Sequence, residues 1–317
     1  MIRHHALWIF LAASLSFGGC AAKQTTAEDS AAAQQDDAQR AEDKEDSTSD
    51  ADADEPYPDR GARNRQGTQT SNAEVLKVLA HAPTRSEENR ARNDARHPAE
   101  TLDFFGIEPD MTVIEIGPGA GWYAEIIKPF LQKEGRYIAA LDAPDGPRAH
   151  YRKGWEKLVE TQPELFGDAE TTVFAPPEYE LAEDDSIDLI VTFRHVHGWI
   201  NDDTYTESFK EFFRVLKPGG HLGVVTHRAN PDDNAETSAK DGYVPEPWVI
   251  EQAKNAGFEL VGQSEINAND KDTKDHPHGV WSLPPTLEGD DEEAIEKAKE
   301  IGESDRMTLK FQKPKAD

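Results

Sequence analysis

The chain carries 62 acidic and 34 basic side chains among 317 residues, a net charge of -28 at pH 7. A surface of that sign repels a phosphate backbone, which speaks against nucleic-acid substrates. A single cysteine, Cys20, leaves no disulfide framework within the chain. From the start, Arg3, His4 and His5 form a basic patch ahead of residues 6–17, an apolar run of about 12. A spanning helix needs roughly 20, so this reads as a targeting leader and not as part of the fold. Residues 20–71 hold Ala, Gln, Ser, Thr, Asp and Glu with hardly an aliphatic residue beyond Ala. They bury too little apolar surface to offset the entropy of ordering, and the acidic stretch 36–59 repels itself into an extended tether. Arg60, Arg63 and Arg65 close the tether with a small basic patch, read as solvated linker, with docking on lipid headgroups as the other reading. The remaining stretch, about 245 residues from 72 to 317, is enough for one domain with a sizeable core.

Within that domain, residues 72–81 and 86–96 have helical patterning, and Pro98 opens a further helix that Gly106 ends. These helices are expected to cover a ligand crevice. Pro109 and Asp110 turn the chain into a first strand, 113–116, and a helix over 122–131 follows a glycine-rich loop. Strand two covers 136–141, then a loop, a helix over 149–161 and strand three at 171–174. Strand four, 186–193, is an apolar run suited to the centre of a parallel sheet. An amphipathic helix over 203–216 ends at the turn Lys217-Pro218-Gly219-Gly220 before strand five, 222–226. A helix over 247–256, strand six at 258–263 and an alternating last strand at 307–311 complete the pattern. Strands alternating with helices imply a parallel sheet covered on both faces.

The glycine loop narrows the ligand. Glu115, Gly117, Gly119 and Gly121 stand as E-x-G-x-G-x-G, whereas a dinucleotide fingerprint needs glycine at the position of Trp122. Glycines there let the loop turn and let a ligand approach backbone, beside the unpaired N–H groups of the next helix. The pattern resembles motif I of the class I S-adenosylmethionine (SAM) dependent methyltransferases. The resemblance implies a Rossmann-like α/β fold with a seven-stranded, mostly parallel sheet whose last strand is antiparallel. It also implies SAM as cofactor. Glu115 would meet the cofactor's amino-acid end directly or through water, the glycines and Trp122 would line the crevice, and Asp142 would accept hydrogen bonds from the ribose hydroxyls. The Leu-Lys-Pro-Gly-Gly stretch before strand five is a further hallmark of that family, but Ala175-Pro176-Pro177 after strand three leaves the adenine contact unassigned. The likeness runs from about residue 104 to 311 and extends to a group of exported bacterial "predicted methyltransferases". The unusual part is an insertion over 264–305, too long for a plain connection.

Gly18-Gly19-Cys20 resembles the lipobox of bacterial lipoproteins, with Phe17 where leucine is usual. That implies cleavage after residue 19 and a lipid on Cys20 that anchors the protein to a membrane. Ala21 resembles a signal for the outer membrane of a Gram-negative cell.

Three polar clusters fall at the carboxyl ends of the strands, where ligands bind in open α/β sheets. Strand four runs into His195 and His197, which share a face if the chain stays extended. Strand five runs into His227 and Arg228, and the insertion supplies Asp275, His276 and His278. Methyl transfer is an in-line displacement, so alignment dominates, and a neutral nucleophile can use a base. His197 is the first candidate and His227 the second, with His276 beside them and Arg228 to hold an anionic substrate group. Hydrogen-bonded structure or plain solvation is the ordinary alternative for each, and Trp122, Trp199 and Trp281 pack a core or wall a pocket. The leading expectation is a lipid-anchored methyltransferase acting on a small molecule or an envelope component. SAM is made in the cytosol and does not readily cross a bilayer, so a binder of SAM or another nucleoside without turnover is the second reading. A metal-assisted hydrolase using the histidines and Asp275 is the third.

Overall fold

The structure, a computed structural model, describes residues 70–315 other than 132 and 177. The leader, Cys20 and nearly all of the tether lie outside the described residues. The domain begins where expected: Ser71 caps α1 (Asn72–Ala80), with a reciprocal bond from its backbone N–H to Glu74. The helix expected over 86–96 is two short ones, α2 (Glu87–Ala91) and α3 (Asn93–Arg96), broken at Arg92, and α4 (Pro98–Phe105) follows with Gly106 as its left-handed cap.

The seven expected strands are present: β1 (Thr112–Ile116), β2 (Arg136–Leu141), β3 (Glu170–Ala175), β5 (Ile187–Phe193), β6 (Leu216–His227), β7 (Glu259–Ser264) and β8 (Arg306–Gln312). A short charged strand, β4 (Glu178–Glu180), adds an eighth at the edge. The sheet order is β4-β3-β2-β1-β5-β6-β8-β7. The neighbours from β3 through β6 pair in parallel, while β8 runs antiparallel between β6 and β7. This is the Rossmann-like methyltransferase arrangement, with β4 as an addition. Lys217 to Gly220, expected as a turn, is instead carried inside β6 as a bulge opposite Ile187 and Leu189, with Gly219 at φ +85°.

Period-two alternation divides the core. Val113 and Ile114 point to opposite sides, into two separate buried clusters. On one side lie α1, α4, α5 (Ala124–Leu131), α6 (Arg152–Thr161) and α7 (Pro163–Phe166). On the other lie α8 (Val196–Asn201), α9 (Tyr205–Val215), the short α10 (Ala235–Ser238) and α11 (Glu246–Asn255). α9 buries Ser208, Phe209, Phe212 and Val215 along one stripe, and each phenylalanine contributes about 1.5–3 kcal/mol.

The insertion over 264–305 is packed. Asn267 reaches Thr101 and Thr308, the buried Asp272 carboxylate accepts from the Tyr243 hydroxyl, and α12 (Glu292–Ile301) leads back into β8. Starts of three helices are corrected as well. The helix after the glycine loop begins at Ala124, with Trp122 and Tyr123 still in the turn. The helix expected from 149 opens as a 3-10 turn over Ala149–Tyr151, and α9 starts only after Asp203 at φ +54°.

Candidate functional site

β1 delivers the chain into the glycine loop, and the Gly117 N–H donates to the Ala140 carbonyl of β2 at 2.9 Å. Gly117, Gly119 and Gly121 all have positive φ, at +57°, +57° and +87°. A β-carbon on Gly117 would stand 2.6 Å from the His195 ring, and one on Gly121 2.2 Å from Leu158, whereas around Gly119 nothing lies within 4 Å. Two of the glycines therefore serve packing, and Gly119 presents bare backbone to open space. That space is a cavity of about 820 Å³ along the tips of β1, β2 and β5, within the range of small-molecule sites. Ser86, Asn89, Arg92 and Arg96 line it too, so α2 and α3 do cover the crevice.

Glu115, Trp122 and Asp142 all line the cavity. The Arg85 and Arg96 guanidiniums lie over the Trp122 ring, 5.0 and 4.8 Å from its centroid. Asp142, one residue past β2, accepts from Arg148 Nε at 2.9 Å through Oδ1, and its backbone carbonyl accepts from Arg152. Burial raises its carboxyl above the ordinary range, and the Arg148 charge opposes that. Glu115 is only 2% exposed and accepts a hydrogen bond from the Tyr137 hydroxyl at 2.7 Å. Burial pushes its carboxyl up to about 8, against the weaker opposing pull of Tyr137, so Glu115 stands mostly protonated at neutral pH.

The histidines divide. β5 ends at Phe193, Arg194 turns the chain at φ +68°, and His195 leads directly into α8, so the shared strand face expected for His195 and His197 does not exist. Both still line the cavity. His195 bonds Thr192 through Nδ1. His197 is 7% exposed, and its Nδ1 has no partner among the described residues. Its ring lies 6.1 Å from that of His227 and 6.0 Å from that of Trp281.

The other candidates are not brought to the crevice. His227 is buried against Ser304 and does not line the cavity. Arg228 is bound to Asp305, Glu265 and Glu246, so a clamp on the insertion replaces the anion-holding role expected of it. His276 is held by Asp272 at 2.9 Å, while Asp275 and His278 lie on the exposed loop with Thr273 and Glu288 as partners. No three His, Cys, Asp or Glu residues gather to hold a metal ion among the described residues, which removes the basis of the metal-hydrolase reading.

Sequence reasoning missed the arginines. Arg85 is wholly buried and donates to the carbonyls of Ala80 and Trp122, and Arg92, Arg96 and Arg306 close on Glu303. The one local sign was the four-residue spacing of Arg92 and Arg96. Their partners come from more than 200 positions away, which no local pattern reveals.

These buried groups set an expected pH profile. Burial pushes His195 down to about 3 and His197 to about 4, and lowers His227 as well. Unfolded imidazoles titrate at 6.5, so from about 4 to 6.5 the unfolded chain binds more protons and stability rises with pH. Glu115 has the opposite sign. Its folded form keeps a proton that an unfolded carboxyl loses near 4.5, so this contribution is full below 4.5 and falls as pH rises through about 8. Melting temperature at fixed ionic strength is expected to climb from pH 4 to about 6.5 and decline toward pH 8. Glu115→Gln should abolish the decline and keep the climb; a decline that persists in that variant refutes the assignment.

A parallel sheet with one antiparallel strand beside β6, a glycine cradle at the tip of β1 and a carboxylate at the tip of β2 together define a class I methyltransferase fold. Residues 89–263 match the family described as Methyltransferase domain, and the chain belongs to that family. It is 28% identical over 193 residues to the sterol 24-C-methyltransferase of Yarrowia lipolytica, covering 56% of this chain and 46% of that protein. It is 28% identical over 155 residues to an uncharacterized methyltransferase-like protein of Schizosaccharomyces pombe, covering 49% and 48%. The chain thus spans about half the length of the curated relatives it matches. Among solved structures, geranyl diphosphate C-methyltransferase from Streptomyces coelicolor A3(2), in complex with Mg2+, geranyl diphosphate and S-adenosyl-L-homocysteine, superposes with a TM-score of 0.50 at 14% identity. That alignment covers 74% of this chain and 87% of that one and bears on the fold alone. SAM is the cofactor of the family, and the residues present fit it: Gly119 leaves room that a β-carbon would fill, and Asp142 faces the same cavity.

Proposed function

We propose that the protein is a SAM-dependent methyltransferase acting on a small molecule or an envelope component, exported and held to a membrane by a lipid on Cys20. The observation that carries the catalytic reading is the open backbone at Gly119, on one cavity with the Asp142 carboxylate. When bound, the cofactor supplies an electrophilic methyl group on a sulfonium. The backbone of the glycine loop would hold its amino-acid end, and Asp142 would accept from its ribose through the carboxylate positions Arg148 leaves over. Residues of α2 and α3 line the cavity, and with a ligand bound they would limit its contact with water, which strengthens polar contacts inside. His197, neutral at pH 7 and lining the cavity, is the group to take a proton from a nucleophile.

Calorimetry with S-adenosylhomocysteine tests this. Asp142→Ala is expected to weaken binding ~10–100-fold, since hydrogen bonds to a charged group contribute about 1.5–3 kcal/mol. Unchanged affinity would refute the site. The leader favours one other reading, a binder without turnover, because SAM is made in the cytosol; transfer of labelled methyl from SAM to any envelope extract fraction excludes that reading. Loss of membrane attachment in Cys20→Ser tests the anchor separately.

A further inference from the structure

Asp142 does not face the cavity alone. It stands one residue past β2, on a loop that brings Arg148 back to it. Arg148 Nε donates to Asp142 Oδ1 at 2.9 Å, and Arg148 Nη1 donates to Asp202 Oδ2 at 2.7 Å. Asp202 caps the carboxyl end of α8, the helix that His195 opens and that carries His197. One guanidinium therefore ties the tip of β2 to the far end of α8, reaching a partner 54 positions away in the chain. Arg148 and Asp142 line the cavity, whereas Asp202 lies outside it. Arg152 donates to the Asp142 backbone carbonyl and fixes the peptide that carries the carboxylate. Among the described residues Asp142 Oδ2 takes no hydrogen bond, so one oxygen is held and the other is open to a ligand. The charges around Asp142 act in one direction. Burial raises its carboxyl, and Arg148 first, then His150 and Arg152, oppose that. A guanidinium stays charged throughout the working pH range and offers a rigid planar fork to two acceptors at once.

We propose that Arg148 is a positioning residue for the cofactor: it presents Asp142 to the ribose as an oriented carboxylate, and Asp202 in turn holds Arg148. The inference rests on the methyltransferase reading and deepens its cofactor site. Without the guanidinium, a largely buried carboxylate loses its strongest reason to stay ionised, and a protonated carboxyl is a weaker acceptor for hydroxyl donors. A lysine in its place restores the charge but not the fork that reaches Asp142 and Asp202 together.

The test is calorimetry with S-adenosylhomocysteine on the full chain at pH 5 and pH 8, at constant ionic strength. Arg148→Gln should weaken binding about threefold at pH 8, where only orientation is lost. At pH 5, where Asp142 also gains a proton, the loss should reach at least about tenfold. His150 and Arg152 stand in both proteins, so the comparison isolates Arg148. Arg148→Lys should remove the extra loss at pH 5 and keep the loss at pH 8. Asp202→Asn, outside the cavity, should weaken binding about twofold or more at pH 8. A direct contact between Arg148 and the ligand would leave that variant unchanged. The proposal is overturned if Arg148→Gln loses nothing, if it loses the same factor at both pH values, or if Asp202→Asn binds as the unaltered protein does. Carboxyl-carbon NMR of Asp142 in the ligand-free protein reads the hold without any cofactor. Asp142 should titrate at a higher pH in Arg148→Gln than in the unaltered chain, and an unmoved titration refutes the proposal. Should S-adenosylhomocysteine fail to bind even the unaltered protein, the cofactor reading falls, and the carbon titration still decides whether Arg148 governs the Asp142 carboxylate.

Discussion

Gly119→Val is expected to weaken S-adenosylhomocysteine binding by about 10–100-fold or more while the protein still folds. The position has open space for a side chain, so the folded state meets only the left-handed backbone, at about 1–2 kcal/mol. The added carbons occupy the volume a ligand needs, and forcing atoms into an occupied site costs about 1–3 kcal/mol. Gly121→Ala makes the contrast. Its β-carbon would meet Leu158 at 2.2 Å, and its φ is +87°, so the expected loss is mainly in stability, about 2–4 kcal/mol. Thermal melts and calorimetry on both variants separate cradle from scaffold. Equal effects of the two on binding and on melting would show that the loop has no face of its own toward a ligand.

The second large effect belongs to Arg85. Its guanidinium donates to the Ala80 and Trp122 carbonyls and to Asn93, and stands 3.4 Å from the buried Glu125 carboxylate. Arg85→Met is expected to cost about 3–5 kcal/mol, because it takes away the only cation beside the buried Glu125 carboxylate among the described residues and removes three donated hydrogen bonds at once, leaving Glu125 with Asn89 and Gln162 as donors. Urea denaturation reads the loss as a lower midpoint with little change in slope. The double variant Arg85→Met/Glu125→Leu should recover part of it, because no charge is then left alone. A double variant no more stable than the single would assign the cost to packing. Helices α2 and α3 cover the cavity beside this pair, so ligand affinity should fall with it.

The cradle was legible in the sequence because its signal is local. Three alternate glycines, the Glu115 ahead of them and Asp142 after the next apolar run all follow from what one turn and two buried strands require. The seven strands were legible for the same reason, since apolar runs and turn residues mark them. What failed was the reading of how a strand ends. Arg194 at φ +68° turns the chain into α8, and no glycine or asparagine announces that turn. Arg228 and His276 were read as free to meet a substrate because their partners, Asp305 and Asp272, lie in an insertion whose course the sequence does not specify. β4 was missed because Glu178 and Glu180 carry no strand pattern. The cluster of Arg92, Arg96 and Arg306 on Glu303 left only the spacing of its first two members as a local sign. Arg92 and Arg306 reach the same carboxylate, Glu303, across more than 200 positions, a matter of topology.

The place of β8 between β6 and β7 orders the birth of the molecule. β7 leaves the ribosome before the strand that must separate it from β6, and β8 is its one sheet neighbour among the described residues. At roughly 5–20 residues per second, the nascent chain waits several seconds with an unpaired edge on β6. Until Arg306 to Gln312 emerge, neither the sheet nor the cluster on Glu303 can close. A chain cut short before Arg306 would show that open edge to its neighbours and clump.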